Sequence, residues 1–270
     1  MKKYLFLLIA VFTLFSCSEY QKLLKSTDPE LKYTKAVEYF EKGDFTRAQT
    51  LFEEVKAYYR GTERSELILN YLADSYMGQK DYFSASEHYN LYIRSYPKGK
   101  FAENAKFMVG YCHYLQSPDP RLDQESTILA INNFQEFVDI YPQSDRVPEA
   151  NKLLFEMKNK LAYKEYLNAK LYFDLGNYRG TTLDNYYISA ITTAESGLRN
   201  YPESSYREDF SIIILNSKYQ QAVQSFEELK VDRYRNVIDE YYNYTNEYPN
   251  GKFVKQAEKF FNEAKKIVKD

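Results

Sequence analysis

The sequence has little glycine and proline, 9 and 8 in 270 residues, two cysteines and no tryptophan. So few turn-formers exclude the many short connections of an all-β fold and the glycine-rich loops that cradle phosphates. Cys17 and Cys112 cannot build a disulfide framework. Charge of one sign is missing as well: 36 Lys and Arg stand against 38 Asp and Glu, a formal charge of −2. Without a basic field to hold a phosphate backbone, nucleic acid is excluded as the main partner. What abounds is Tyr and Phe, 29 and 18, in a chain 44% hydrophobic and 27% charged. That composition buries a core, and the length fits one or two domains.

The longest apolar run, Tyr4 to Phe15, follows Lys2 and Lys3. It falls short of the ~20 residues of a bilayer span but suits the core of a signal peptide. It ends in Leu14-Phe15-Ser16-Cys17, which resembles the bacterial lipobox, with Phe15 bulkier than usual before Ser16. Residues 1–16 are then a lipoprotein signal peptide and Cys17 is the lipidated first residue of the mature chain. Each buried methylene contributes roughly 0.8 kcal/mol, so two or more acyl chains anchor stably. Losing Lys2 and Lys3 takes the formal charge from −2 to −4, so no net positive charge supplements the lipid. Ser18, where an Asp would resemble an inner-membrane retention signal, points to the outer membrane, with the protein facing the periplasm.

Beyond a tether over 17–30 the chain repeats. Tyr-Pro recurs at Tyr96-Pro97, Tyr141-Pro142, Tyr201-Pro202 and Tyr248-Pro249, preceded by a degenerate Tyr59-Arg60. Eleven residues before each Tyr stand Ala48, Ala85, Ala130, Ala190 and Val237; seven before, Phe52, Tyr89, Phe134, Ala194 and Tyr241; four before, Val55, Tyr92, Phe137, Gly197 and Tyr244. These offsets share one helical face, on which a small residue admits a neighbouring helix and an aromatic fills the space beside it. Proline then ends the helix. An earlier helix carries Ala36 and Tyr39, then Ala73 and Tyr76, with turns at Lys42-Gly43-Asp44-Phe45 and Gln79-Lys80-Asp81-Tyr82. Ala48 and Ala85 are 37 residues apart, close to the 34-residue tetratricopeptide period. The fold class expected is all-α: a solenoid of about five tetratricopeptide-like helical hairpins over 31–270, divided at about 31–66, 67–103, 104–149, 150–209 and 210–270.

Departures from the period are placed as follows. Ser117 to Gln124 is an insertion between two helices, and Glu149 to Leu175 reads as one long helix before the loop Gly176 to Thr182. Ser211 to Tyr244 reads as longer helices joined near Val231-Asp232. The closing stripe Phe253, Ala257, Phe260, Phe261, Ala264, Ile267 and Val268 reads as a capping helix. Lys255, Lys259, Lys265, Lys266 and Lys269 lie on its other face, weighted toward the end that the helix dipole favours.

The lipobox followed by Ser18-Glu19-Tyr20-Gln21-Lys22-Leu23-Leu24-Lys25-Ser26 is similar to the opening of BamD-type lipoproteins. Tyr33-x-x-Ala36 leading to Gly43-Asp44-Phe45, the Asp-Pro insertion, and Lys160 to Tyr166 leading to Gly176-Asn177-Tyr178 resemble that family too. The resemblance implies a subunit of the machinery that folds β-barrel proteins into the outer membrane. It implies that the N-terminal repeats meet unfolded barrel substrates and the C-terminal repeats meet the Omp85 (BamA-type) barrel subunit. Ala194 and Gly197 depart from the larger residues usual on that helix.

Catalytic signals are lacking. No nucleophile elbow, P-loop or zinc-protease motif occurs, and Cys112-His113, adjacent on a helix, point too far apart to chelate together. His88 has no evident partner, and Glu227-Glu228 or Asp239-Glu240 read as solvated faces. No enzyme activity and no cofactor beyond the lipid on Cys17 are expected. In stacked helix pairs the first helix of each lines the groove, which places Tyr33, Val37 and Phe40, then Asn70, Asp74 and Met77, there as a candidate peptide site. A groove with that apolar trio suits an extended, aromatic-rich peptide. Alternatively these rings are core, or Glu19 to Asp28 covers them. Two other functions compete: a SusD-like glycan-binding lipoprotein, disfavoured by the lack of Trp platforms and of room for large inserts, and a general periplasmic scaffold.

Overall fold

The computed structural model describes residues 19–176 and 184–268. Residues 1–16, Cys17, Ser18, the loop from Asn177 to Thr182, and Lys269 lie outside the described residues. Every regular element among those described is helical: α1 (19–25), α2 (Pro29–Glu41), α3 (Phe45–Lys56), α4 (Glu63–Gly78), α5 (Tyr82–Ser95), α6 (Ala102–Gln116), α7 (Glu125–Ile140), α8 (Val147–Gly176), α9 (Asp184–Asn200), α10 (Arg207–Val223), α11 (Glu227–Glu247) and α12 (Val254–Ile267). The chain divides into two compact units, Met1–Ser117 with Glu125–Leu153, and Pro118–Gln124 with Leu154–Asp270.

The turns inside the first two hairpins are copies of one another. After α2, the Gly43 amide donates to Phe40 O and the Asp44 amide to Tyr39 O; after α4, Lys80 donates to Met77 O and Asp81 to Tyr76 O. This paired closure satisfies the orphan carbonyls of the helix end and needs a left-handed residue in the penultimate place. Gly43 supplies it at φ 77°, whereas Lys80 adopts φ 62° with a side chain to accommodate. Asp44 and Asp81 then cap the next helix, accepting from the Arg47 and Ser84 amides at 3.3 and 3.1 Å.

Each Tyr-Pro punctuation closes alike. The Tyr96, Tyr141, Tyr201 and Tyr248 amides donate to the carbonyl four residues back, the amide three residues on returns to the Tyr carbonyl, and a third such bond opens the next helix. The small markers Ala48, Ala85, Ala130, Ala190 and Val237 are all fully buried. Phe52, Tyr89, Tyr92, Phe134, Phe137 and Tyr244 pack around them with relative exposures of 1% or less. Tyr241 departs from the pattern: it is half-buried and stacks on Phe261 of α12 with centroids 4.3 Å apart.

The fourth copy shows why its markers shrink. Gly197 and Ala194 leave a space that Phe210, from α10, fills completely. In the last copy the helix joint differs from the sequence reading. Helices α10 and α11 meet at Gln224-Ser225-Phe226, not at Val231-Asp232. Ser225 turns its hydroxyl onto Gln221 O, and Glu227 and Glu228 open α11 where negative charge suits the helix N-terminus. The capping helix buries Ala257, Phe260 and Ala264 against α10 and α11, with Phe260 stacked on Tyr219 at 4.3 Å.

Candidate functional site

The six groove candidates fall into two groups within the first unit. Tyr33, Val37 and Phe40, on α2, are half-buried and pack against the unit's core. Tyr33 meets Phe52 edge-on at 6.3 Å and Tyr59 at 5.5 Å, with the Arg64 guanidinium 4.7 Å above its ring. Phe40 meets Phe45 at 5.5 Å and Tyr71 at 4.9 Å, and Tyr71 stacks on Phe52 at 5.0 Å, only 3° from parallel. A continuous belt of rings results. Within it Phe52 is fully buried core, while Tyr33, Phe40 and Tyr71 pack against that core and keep partial exposure.

The second group, on α4, is more deeply set and polar. Asn70 donates to Asp74 Oδ2 at 2.7 Å, and the buried Tyr89 hydroxyl donates to Asp74 Oδ1 at 2.5 Å. Burial pushes the Asp74 carboxyl above its ordinary range in spite of both donors. Among the described residues the Asn70 Oδ1 atom has no hydrogen-bond partner. Met77 accepts a weak contact from the Cys112 thiol at 3.9 Å. That thiol is fully buried, and desolvation pushes it up to about 12, which makes it inert as a nucleophile. Burial raises the Tyr71 hydroxyl above its ordinary value, with smaller contributions from Tyr33, Glu41 and Asp74.

Sequence reasoning missed Tyr71 and misjudged His88. The His88 ring does have a partner: its Nε2 lies 3.3 Å from Glu53 Oε1 on α3, and its Nδ1 lies 2.8 Å from Ser84 O. The Glu53 hydrogen bond raises the imidazole above its ordinary value, and His88 in turn holds Glu53 down to about 2. The pair is 35 residues apart in sequence, and the packing of α3 on α4 and of α4 on α5 is what brings it together. A second missed device is a tyrosine–glutamate clasp. Tyr92 donates to Glu66 and Tyr244 donates to Glu208, while the Phe101 and Phe253 amides donate to the same tyrosine oxygens. Its signal was the tyrosine four residues before Tyr-Pro in the second and fifth copies.

Among the described residues no group of three His, Cys, Asp or Glu could hold a metal ion, and no helix is long and apolar enough to cross a membrane.

Comparison with known proteins adds the following. The family model described as "YfiO: Outer membrane lipoprotein" matches residues 25–182. The outer membrane protein assembly factor BamD of Caulobacter vibrioides (strain ATCC 19089 / CIP 103742 / CB 15) is 27% identical over 150 residues, 54% of this chain and 48% of that protein. BamD of Pasteurella multocida (strain Pm70) is 25% identical over 183 residues, 64% of this chain and 70% of that protein. A protein of Aquifex aeolicus (strain VF5), assigned provisionally to the same factor, is 26% identical over 199 residues, 73% of this chain and 62% of its own length. The chain thus spans less than two thirds of the Aquifex and Caulobacter proteins. Among solved structures, the TPR2AB-domain:pHSP90 complex of yeast Sti1 aligns over 87% of this chain and 98% of that chain, at 12% identity and a TM-score of 0.38.

Proposed function

Because the chain belongs to the YfiO family of outer membrane lipoproteins, we propose that it serves as a BamD-like subunit of the machinery that assembles β-barrel proteins in the outer membrane. The single observation that carries this reading is the family match, which spans the end of α1 through the loop after α8. The three relatives named for BamD support it. In this reading Cys17 carries the lipid, the protein hangs from the outer membrane into the periplasm, and the repeats run over the divisions given above. It acts as a scaffold, not an enzyme.

The half-buried ring belt of Tyr33, Phe40 and Tyr71, with the Asn70–Asp74 pair beside it, is the surface assigned to unfolded barrel substrates. Rings already fixed by packing lose little freedom on contact, so a peptide aromatic laid against them contributes on the order of 1–3 kcal/mol. The C-terminal repeats are assigned to the Omp85 (BamA-type) subunit. The test is depletion of the protein in its own cells, followed by measurement of folded, heat-modifiable barrel proteins in the outer membrane. Their loss is the expected result. Normal barrel levels after full depletion refute the role.

A further inference from the structure

Helix α1 lies immediately after the lipidation site and is held firmly. Its Leu23 is buried, and Tyr20 meets Tyr39 of α2 edge-on at 5.7 Å. The Arg47 guanidinium of α3 lies over both rings, 5.2 Å from Tyr20 and 5.6 Å from Tyr39. Lys32 Nζ also donates to the Leu24 carbonyl at 3.0 Å. Between α1 and α2 runs an open cleft of about 420 Å³ whose lining includes Glu19, Lys22, Leu31, Lys35, Glu38 and Lys42. Lys35 and Glu38 neutralise one another at 2.8 Å. Lys22 and, one turn beyond it, Lys25 form no ion pair among the described residues, and Lys42 forms none either, although its charge lies near enough to Glu38 to help Lys35 lower that carboxyl.

Covalent geometry turns this into a statement about position. Glu19 is two residues from Cys17, and two residues reach at most ~7 Å. The headgroup layer on each side of a bilayer is itself roughly 5–8 Å deep. A lipid on Cys17 therefore keeps the N-terminal end of the docked α1 within about a headgroup depth of the membrane. We propose that this face of the first repeat rests on the bilayer, with Lys22, Lys25 and Lys42 against the phosphates of anionic lipids and Leu31, 42% exposed, in the headgroup region. The chain as a whole is acidic and the charge nearest the anchor is Glu19, but with Lys35 and Glu38 paired this face sets Lys22, Lys25 and Lys42 against Glu19, and that local excess selects a negative surface. Each lysine near such a surface strengthens attachment by about fivefold. The inference rests on the lipidation of Cys17. Its consequence is that the first repeat is fixed in height and orientation on the membrane instead of swinging on a leash.

The test uses the lipidated protein, its acyl mass on Cys17 first verified by mass spectrometry. It is reconstituted in vesicles of phosphatidylethanolamine and phosphatidylglycerol, and lysine acetylation rates are compared with those in neutral detergent micelles. Lys22, Lys25 and Lys42 should be modified several-fold more slowly in the vesicles, while the exposed Lys152 and Lys158 keep their rates. Protection should weaken in pure phosphatidylcholine vesicles. It should weaken again when a spacer of about twelve Gly and Ser residues, with a reach of ~40 Å, is inserted between Ser18 and Glu19. Equal rates in vesicles and micelles overturn the proposal while leaving lipidation intact, and no acyl mass on Cys17 overturns both. Protection indifferent to lipid charge or to the spacer overturns the headgroup contact or the short tether respectively.

Discussion

Gly197→Ala reverses the usual sign of a glycine-to-alanine change in a helix. In a helix interior alanine ordinarily gains about 1 kcal/mol over glycine. Here an added Cβ would sit 2.4 Å from Phe210 Cζ and 2.5 Å from Cε1, where carbon atoms prefer ~3.5–4.0 Å. The overlap exceeds what small adjustments absorb, and the ring cannot retreat. Phe210 is fully buried among Ala169, Ala190, Ala194, Ile213 and Ile214. Overpacking of this kind costs about 1–3 kcal/mol. At the upper end, less the propensity gain, the net loss is about 1–2 kcal/mol. Far-UV circular dichroism during guanidinium unfolding reads it as a lower midpoint. Adding Phe210→Leu should recover part of the loss, with a coupling of about 1 kcal/mol between the two sites. A Gly197→Ala protein more stable than the parent by the ordinary propensity gain would refute the account of why this repeat carries small markers.

Ala85→Arg forces a charged chain between packed helices at a fully buried position and should cost several kcal/mol; an unchanged melting curve would place the repeat phase wrongly. The His88–Glu53 pair predicts a pH signature. The raised His88 contributes stability that is fully present below its ordinary value of 6.5 and fades as pH rises through the folded value. Glu53 contributes above its ordinary 4.5 and fades toward about 2. His88→Gln should therefore lower stability by about 1 kcal/mol or less, discounted for partial exposure, mainly between pH 4.5 and 6.5, as read by difference melting; a pH-independent difference would contradict the assignment. A barrel-terminal peptide with a final Phe should bind at roughly micromolar strength or weaker, because it must be ordered on binding, and Tyr33→Ala with Phe40→Ala should weaken it in calorimetric titration. Equal affinity, with melting unchanged, moves the substrate site elsewhere.

The repeat was legible because its signals are local. Small and aromatic markers at fixed offsets from Tyr-Pro report one helical face, and Asp44 and Asp81 cap helices wherever they follow such a turn. The insertion from Ser117 to Gln124 was equally plain, since α6 ends at Gln116 and α7 starts at Glu125. Errors arose where the deciding partner is distant or the turn lacks glycine. The α10–α11 joint at Gln224-Ser225-Phe226 carries no Gly or Pro, so periodicity alone slid it to Val231-Asp232. Glu53, 35 residues before His88, could not be paired with it until the helices were stacked. The groove candidates were placed by counting along α2 and α4. That counting picked out Phe40 and Tyr33 as candidates but passed over Tyr71, whose ring is fixed by stacking on Phe52 of the preceding hairpin.

Affinity isolation of the tagged full-length protein from gently solubilised outer membranes, with mass spectrometry of what co-elutes, tests the central claim most directly. The account predicts an Omp85-type barrel protein as the leading partner, retained after removal of α1 contacts by Tyr20→Ala and Leu23→Ala. Repeated recovery of the intact protein without any such barrel subunit, or with a glycan transporter in its place, would contradict it.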